Sequence, residues 1–389
     1  MPPLDFPNSP ATGATYTGPN GVIWSYDGAK WISGTSANVY AAIASPVFLG
    51  DPQAPNPAAG DADTSIATTA FVAAAVATSL HDVGRNYIHN SMFNIQQRGN
   101  GPFTANAVWS LDRWKQILSL DTVSVIPGGL SDADRTQIGD EAAIYALSNT
   151  FTGNAGTGAY NFITQGIESV RRLAGKTVTV SFWAKAGSGT LKLGVNIQQI
   201  FGTGGSPSAA GWALTTGIAS TLNTTWARYT ATIAVPSAAG KTTGTNNDSS
   251  TVLAFWFSCG TDNNAVAGNI GVQSGTIIIW GVQLELGPTA TPLEKLDPVT
   301  DLQRCQRFYQ TGFIQLAGNA AAGAGNNCTI PFPVTMRGMP AVTPTFTNQT
   351  NCSGSTIYVI SPGFYQPYTI GTAAGGYTVI GTFTASADL

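Results

Sequence analysis

The sequence predicts a mainly β protein, and three of its features carry that prediction. Its 389 residues include 45 Gly and 22 Pro, which favour turns, and 48 Thr, whose branched side chain favours strands. Several segments rich in β-branched and aromatic residues are separated by stretches of Gly, Ser, Thr and Asn. Hydrophobic residues make up 43% of the chain, which is too much apolar surface for a disordered protein. We therefore expect many short strands around a sizeable core.

Residues 1–34 predict a small β-hairpin module. Apolar and aromatic residues flank turn signals at Pro19-Asn20-Gly21 and Asp27-Gly28. An isolated hairpin is marginally stable in water, so we expect this module to pack against another chain or a neighbouring module. Its position before a linker indicates an attachment device.

Residues 35–83 predict a linker followed by a short helix. Several prolines without hydrophobic periodicity mark the linker, namely Pro46, Pro52, Pro55 and Pro57. The helix is predicted in TSIATTAFVAAAVATSL, residues 64–80, with Asp63, Thr64 and Ser65 as candidate N-caps.

One side of this predicted helix has the spacing of a coiled-coil seam. The residues that follow one another at intervals of three and four are Ile66, Thr69, Ala73, Val76 and Leu80. Most are small enough to let neighbouring helices approach closely. We expect a short oligomerisation bundle, and the alternative is a single helix packed on its own domain.

Residues 84–296 predict a jelly-roll β-sandwich. The clearest strands are residues 178–185, 190–198, 226–235, 251–259 and 276–286. The Gly- and Ser-rich connections between them favour antiparallel pairing over helical crossovers. Residues 297–389 predict a second β-rich unit that follows a helix-compatible segment, DPVTDLQRCQRFYQ.

The charge content argues against several classes of function. Only 10% of residues are charged and the net charge is −3, whereas a surface that tracks nucleic acid needs clustered Lys and Arg. The sequence holds no apolar run of about 20 residues, and its first residues lack the features of a secretory signal. We expect neither nucleic-acid binding nor membrane insertion, and no export by that signal.

The cysteines and acidic residues predict no metal or disulfide framework. Cys259, Cys305, Cys328 and Cys352 show no C-x-x-C pairing, and buried free thiols are the simplest interpretation. Neither histidine has metal-ligand spacing to a cysteine. Calcium binding through loop oxygens such as Asp248, Asp262 or Asn263 stays open, although nothing resembles an EF-hand loop.

Catalysis finds little support among the titratable residues. Glycan hydrolysis needs two carboxyl groups about 5 to 9.5 Å apart, and the chain has four Glu, none in a recognisable pair with an Asp. Glu285 and Glu294 are expected to have structural hydrogen-bonding roles. His81 and His89 are expected to be surface or capping residues rather than parts of a triad. We expect no enzyme activity and no cofactor.

Strand alternation predicts a binding surface on the sandwich, because successive side chains point to opposite faces. The inward rows run from Val178 to Phe182, from Leu191 to Ile197 and from Leu253 to Cys259. The polar outward face carries the candidate ligand-binding residues Trp183, Lys185, Asn196, Gln198 and Trp256. A sugar stacks its C–H face on an aromatic ring and pairs its hydroxyls with amides or charges. The alternative is that these Trp pack against loops, another domain or a neighbouring subunit.

A second candidate contact surface lies near the C-terminal end of the sequence. Tyr365 and Tyr368 follow Phe364 in a Pro- and Gly-rich segment, and such aromatic residues supply contact area at a low entropic cost. Core packing is the alternative interpretation there.

Several stretches in this order resemble the tail-fibre and related receptor-binding proteins of tailed bacteriophages. They are FPNSPATGATYTGPNGVIWSYDGAKW, DPQAPNPAAGDADTSIATTAFV, LAGKTVTVSFWAKAG with WGVQLELGPTATPLE, and LQRCQRFYQ with IPFPVTMRGMPAVT. The stretches LAGKTVTVSFWAKAG and WGVQLELGPTATPLE resemble parts of a carbohydrate-binding-module-like jelly roll on such fibres. Counted together with the residues between the two paired stretches, they span about half of the sequence, and the last 40 residues show no specific resemblance.

The resemblance implies a structural and adhesive protein of a phage virion. It would be attached to other tail or connector proteins by its N-terminal module, assembled as a homotrimer in the bacterial cytoplasm, and would bind polysaccharide on the host surface. The alternatives are a capsule-depolymerising tailspike enzyme and a purely structural virion decoration.

Overall fold

The computed structural model describes residues 5–19, 21–34, 54–58, 66–72, 84–354, 357–360, 363–371 and 373–389. The side chains of Cys328, Tyr365, Gln366, Pro367 and Ile370 lie outside the description. Strands dominate the described residues, as the sequence predicts. The chain divides into two compact units, Met1–Ala77 and Thr78–Leu389.

The first unit contains a three-stranded antiparallel sheet rather than a single hairpin. Its strands are β1 (Thr15–Thr17), β2 (Ile23–Tyr26) and β3 (Trp31–Gly34), in that spatial order. The Phe6 ring stacks on Trp31 at 5.2 Å and meets Tyr16 and Trp24 edge-on, also at 5.2 Å. This aromatic cluster gives a very small sheet the apolar contacts that it needs.

The predicted helix starts later in the chain than its candidate N-caps indicate. Residues 69–72 are helical, and the Phe71 amide donates to the Thr68 hydroxyl at 3.0 Å, so Thr68 is the N-cap. Ile66 precedes the helical residues and is 68% exposed. Several residues with hydroxyl or carboxyl side chains precede this helix. Each of them could serve as an N-cap, so the sequence alone does not show at which one the helix begins. Ala73, Val76 and Leu80 lie outside the described residues, so the seam stays a prediction.

Two sheets form the β-sandwich predicted for residues 84–296. The strands, in chain order, are β4 (Val108–Trp109), β5 (Lys115–Ser119), β6 (Thr122–Gly129), β7 (Tyr145–Thr152), β8 (Tyr160–Glu168), β9 (Thr177–Ala186), β10 (Leu191–Ile200), β11 (Gly211–Trp212), β12 (Ile218–Leu222), β13 (Ala227–Ala234), β14 (Ser250–Cys259) and β15 (Ser274–Leu286). The five-stranded sheet has the order β13-β9-β15-β7-β6. The seven-stranded sheet has the order β11-β10-β14-β8-β5-β4, with β12 also paired to β10.

The inward rows predicted from strand alternation do form the core. Side chains of both sheets meet in one buried cluster, which includes Val180 and Phe182 from β9, Leu193 and Ile197 from β10, and Phe255 and Phe257 from β14. Cys259 departs from the predicted row, because a bulge between Trp256 and Ser258 shifts the register. It joins the cluster around Trp256 on the outer face instead.

Two helices with distinct caps accompany the sheets. The first, α1 (Asp132–Ile138), begins with a capping box between Ser131 and Asp134. It packs Ile138 into an apolar cluster with Trp226 and Trp280. The second, α2 (Pro298–Gln306), is capped by Asp297, which accepts a hydrogen bond from the Val299 amide.

Two smaller sheets follow α2 and share a core of their own. Their strands are β16 (Tyr309–Ala320), β17 (Gly325–Pro331), β18 (Ala341–Thr350), β19 (Cys352–Gly354), β20 (Tyr358–Ile360), β21 (Gly363–Ile370) and β22 (Gly375–Ser386). One sheet has the order β16-β22-β18, and the other pairs β17, β19 and β20 with β21. Ile314, Phe364, Val379 and Phe383 are buried between them.

Buried charges join these smaller sheets to the sandwich. Asp388 forms an ion pair with Arg98, and its carboxylate lies 3.9 Å from the Arg113 guanidinium. The Arg113 side chain is only 2% exposed and stacks 3.3 Å above the Phe308 ring. A counter-ion is required there, because an unpaired buried charge is strongly destabilising.

Two thiols confirm the prediction for the cysteines. Cys259 and Cys305 are buried and free, and Cys352 is free and half-buried. In the portion that the structure describes, no helix is long and apolar enough to span a membrane.

Candidate functional site

The predicted sandwich residues lie on two opposite surfaces rather than on one. Trp183 and Lys185 belong to β9 in the five-stranded sheet, whereas Asn196, Gln198 and Trp256 belong to β10 and β14 in the seven-stranded sheet. Outward side chains of the two sheets point away from each other across the sandwich. The single polar face that the alternation predicts is therefore wrong, because consecutive strands β9 and β10 join different sheets.

Two of the predicted ligand contacts are buried by a loop. Trp256 is 1% exposed and packs against Phe162 at 4.3 Å and Trp212 at 5.3 Å. The Asn196 amide donates to the carbonyls of Leu214 and Val266, at 3.0 and 2.9 Å. Neither side chain has surface left for a sugar. Alternation predicted their outward direction correctly, but it carries no information about the loop around Val266 that covers them.

Trp183 and Lys185 are both engaged in contacts within the chain. Trp183 is half-buried, with the Arg228 guanidinium 4.8 Å from its ring and Trp280 edge-on at 5.4 Å. The Lys185 ammonium donates to the Asp134 carboxylate at 2.5 Å. Burial alone would raise the pKa of Asp134, but this bond and those from Ser131 and Trp226 hold that pKa below its usual value. This arrangement fixes α1 onto the sheet.

A cavity of about 740 Å³ lies beside Trp183, and its charges are largely paired. The Glu294 carboxylate accepts the backbone amides of Gly84 and Asn86, both at 2.5 Å. Lys295 pairs with Asp140 at 2.7 Å. Because these charges already have partners, the cavity shows little that would select a ligand.

The predicted contact surface near the C-terminal end of the sequence is partly a core. Tyr368 is 1% exposed and meets Phe346 edge-on at 6.3 Å, so its proposed ligand contact is wrong. The Tyr365 side chain lies outside the described residues. Phe364 is 1% exposed as well, which agrees with the alternative interpretation of core packing.

Gln198 lies in a groove of about 410 Å³ over the outer face of the seven-stranded sheet, which we call the sheet groove. Its floor comes from neighbouring strands, where Gly166 of β8, Val252 of β14 and Gln198 of β10 follow one another in register. The remaining lining residues are Trp109, Lys115, Ile117, Phe162, Thr164, Ile200, Gly202, Thr203, Asp248, Ser250, Asp388 and Leu389.

The sheet groove combines partly exposed aromatic rings with available polar groups. Trp109 on the edge strand and Phe162 on the floor are both half-buried. The Lys115 ammonium lies 5.1 Å from the Trp109 ring, and neither it nor the Gln198 amide hydrogen-bonds to a described residue. Alternation found Gln198, but the other contributors were missed because β4, β5 and β8 were not recognised as separate strands.

Glu285 and Glu294 are engaged in hydrogen bonds within the fold, as are the acidic residues of the sheet groove. Glu285 accepts bonds from Thr291 and Gln283, and Glu294 from backbone amides, which are the structural roles that the sequence predicts. In the groove, Asp248 accepts the Thr203 amide at 2.8 Å and Asp388 pairs with Arg98. Over the described ranges, no group of three or more His, Cys, Asp and Glu side chains is placed to hold a metal ion. His89 is half-buried, with its ring 5.7 Å from that of Phe308.

No family model and no curated protein matches this sequence. Solved structures with some similarity include a domain of a bacteriophage CBA120 tailspike protein and several carbohydrate-binding modules. The tailspike domain is 16% identical, with a TM-score of 0.30, and the match covers 52% of this chain but only 22% of the tailspike domain.

Two of the modules from Clostridium thermocellum illustrate the extent of the similarity. The family 22 module of Xyn10B is 13% identical, with a TM-score of 0.32, over 54% of this chain and 99% of the module. A family 11 module is 12% identical, with a TM-score of 0.29, over 48% and 96%. The β-sandwich assignment rests on this chain's own strands and core.

Proposed function

We propose that this protein binds a glycan in the sheet groove and does no covalent chemistry on it. The observation that carries the proposal is that one groove combines two half-buried aromatic rings, Trp109 and Phe162, with the Gln198 amide and the Lys115 ammonium, neither of which hydrogen-bonds to a described residue. Aromatic faces stack on the C–H face of a sugar, and amides or ammonium groups bond its hydroxyls. The two carboxylates that line the groove are engaged within the chain, Asp248 by the Thr203 amide and Asp388 by Arg98, so binding is favoured over hydrolysis.

The wider proposal is that the chain is a structural and adhesive protein of a phage virion. Its support is the order of the sequence stretches that resemble phage fibres, together with the glycan-type groove. The small N-terminal sheet would attach the chain to other virion proteins, and the protein would act as a homotrimer that contacts host polysaccharide. A purely structural decoration shares every feature except glycan binding, so the binding experiment separates the two.

The binding experiment compares variants on the two faces of the sandwich. Trp109→Ala and Gln198→Ala should each weaken binding to host polysaccharide or to a glycan array by about tenfold, which corresponds to about 1.4 kcal/mol. Trp183→Ala, on the opposite sheet, is the matched control and should leave affinity unchanged. Thermal unfolding of each variant checks that the fold is preserved.

Each result that contradicts the proposal points to a different alternative. A loss of binding in the Trp183 variant alone would place the site on the five-stranded sheet, and absence of binding by the unmodified protein would favour the decoration. Release of reducing ends from host polysaccharide would instead identify a depolymerase.

A further inference from the structure

Strand β16 has a long free edge in the sheet formed with β22 and β18. It runs from Tyr309 to Ala320, pairs along its whole length with β22, and is the outermost strand on its side. Twelve residues span about 40 Å, which is twice the length of an ordinary strand. Within the described part of the chain, the hydrogen bond that reaches this strand's backbone from outside the sheet is at its first residue, from Gln97 to the Tyr309 carbonyl at 3.0 Å.

The opposite edge of the same sheet has the features that prevent further pairing, and β16 does not. Edge strand β18 contains Pro344 and a bulge between Phe346 and Asn348. Natural proteins use Pro, bulges and charged residues to block an exposed edge. In β16 the register with β22 is unbroken, and its sequence YQTGFIQLAGNA contains neither a proline nor a charge.

The outer face of β16 is apolar at its centre. Phe313 is 81% exposed, and its cross-strand neighbours on this face are Thr382 and, one strand further, Thr345. Ile380 on β22 is 39% exposed and lies opposite Gln315. An exposed aromatic ring at the centre of an uncharged edge strand is typical of a surface that is covered in an assembly.

Charge is nearly absent from this whole part of the chain. Residues 309–389 contain two charged side chains, Arg337 and Asp388. Both are turned inward, since Arg337 donates to the carbonyls of Ala387 and Asn247, at 2.8 and 2.9 Å, and Asp388 pairs with Arg98. Residues 309–389 therefore present no outward-facing charged side chain with which to select a foreign partner by complementarity.

We propose that a second copy of this chain pairs along the free edge of β16 and buries Phe313. In an assembly of identical chains the same residues recur on every copy, so like charges near the contact would repel one another, and a charge-free surface avoids that cost. An unblocked edge also offers regularly spaced backbone donors and acceptors to the incoming chain. This contact is separate from the predicted helical seam and from glycan binding, and it holds whether or not the groove binds a sugar. Two β16 edges that pair with one another form a two-fold contact, which joins two chains or two homotrimers and differs from the threefold contacts within the proposed trimer.

Hydrogen exchange in the full-length protein tests the contact directly. The proposal expects those backbone amides of residues 309–320 that point away from β22 to be protected, and that protection to be lost in Phe313→Lys, because a lysine at the centre of the edge blocks pairing. Thr345→Lys is the matched control, with the same charge on the same face at the opposite edge, and should keep the protection. Phe313→Thr, which introduces the residue type common on this face, should give a partial loss without a new charge.

Native mass provides the second measurement. If the copies of the chain make no other contact with one another, Phe313→Lys should reduce the assembly to the single-chain mass of 40.2 kDa, whereas Thr345→Lys should not. If the helical seam also holds the copies together, the mass persists and the loss of protection over residues 309–320 still supports the contact. The proposal is overturned if the unmodified protein is a single chain, if Phe313→Lys retains full protection, or if both lysine variants lose it equally.

Discussion

Asn149 is a polar residue inside the apolar core of the sandwich. It is fully buried on β7 between Val125 and Ile277 of the adjacent strands, and neither atom of its amide has a hydrogen-bond partner in the structure. A buried polar group without a partner costs about 1–3 kcal/mol. We expect Asn149→Val to raise the free energy of unfolding by an amount in that range, measured by urea denaturation.

Asn86 provides a control with the opposite expected sign. It is also buried, but its amide oxygen accepts the Ile88 and Leu284 amides, at 3.0 and 3.1 Å, and its nitrogen donates to the Val282 carbonyl at 3.0 Å. Asn86→Val should lower the free energy of unfolding because it leaves these groups unpaired. Equal destabilisation by both variants would mean that Asn149 has a stabilising partner after all.

Asp112 makes the stability of the protein depend on pH. Burial raises the pKa of its carboxyl to about 6, although hydrogen bonds from Gln97 and the charge of Arg98 act in the opposite direction. In the unfolded chain this pKa is about 3.9. The folded state therefore holds the proton more tightly, so the contribution of Asp112 to stability is complete below about pH 4 and is lost as the pH rises through about 6.

The resulting prediction is a difference between two pH profiles. The free energy of unfolding of the unmodified protein should fall by about 2 kcal/mol between pH 4 and pH 6 relative to that of Asp112→Asn. Urea denaturation at pH 4, 5, 6 and 7 measures both profiles, and their difference removes the contributions of the other carboxyl groups. Parallel profiles would show that Asp112 titrates normally in the folded protein.

Individual strands were predictable because their information is local. The segment 178–185 lies within β9, and 251–259 lies within β14, because an alternating row of β-branched and aromatic residues already specifies an extended segment with one buried face. The pairing of a strand with its neighbours in a sheet was not predictable in this way. Nothing in the residues of β9 and β10 shows that they join opposite sheets, since that choice is made by contacts far apart in the sequence, such as the pairing of Val195 with Phe255.

The same limit explains the outcome for the candidate ligand-binding residues. Local alternation assigned Gln198 and Trp256 to the outward face, and both do point outward. Only Gln198 reaches a groove, because the loop that covers Trp256 returns to the sheet through contacts that alternation does not encode. Candidate residues on a strand are thus predictable as a row, whereas their accessibility depends on loops.

A bulge at Gly281 reverses which side chains of β15 face the core. Before it Ile277 and Ile279 point inward, and after it Val282 and Leu284 do, with the register shift falling between Trp280 and Gln283. Gly281 has a φ of +61°, and a Cβ there would lie 2.9 Å from the Trp183 ring. Gly281→Ala should therefore lower the free energy of unfolding by more than the roughly 1 kcal/mol that a strained backbone alone costs.

Gly271 isolates the conformational part of that effect. Its φ is +70°, but a Cβ there meets nothing within 4 Å. Gly271→Ala should thus show the cost of the left-handed backbone without the steric conflict, and thermal unfolding of the two variants compares them. A Gly281 variant no less stable than the Gly271 variant would mean that Trp183 moves aside freely.

At the scale of the whole chain, several of the few charged residues form ion pairs that connect parts of the fold. Several charged side chains form ion pairs within the chain, as in Arg98–Asp388, Lys185–Asp134 and the partly exposed contact between Arg307 and Glu168. Arg307 and Asp388 connect the smaller sheets to the sandwich, which places both in one compact unit. The sequence indicated a separate segment from residue 297. Ion pairs between residues that are far apart in the sequence leave no local pattern, so the connection to the sandwich was not predictable.

The first unit offers a test of the proposed attachment to a particle. Its aromatic contacts, Phe6 with Tyr16, Trp24 and Trp31, are internal to it. Deleting residues 1–45 should therefore leave a soluble β protein whose thermal unfolding matches that of the second unit in the full-length protein. If these residues attach the chain to a particle, the truncated protein should be missing from purified virions, whereas full-length Trp109→Ala should be incorporated normally and lose only glycan binding. Incorporation of the truncated chain at the normal level would place the attachment surface in the second unit, because that unit alone would then be sufficient for assembly.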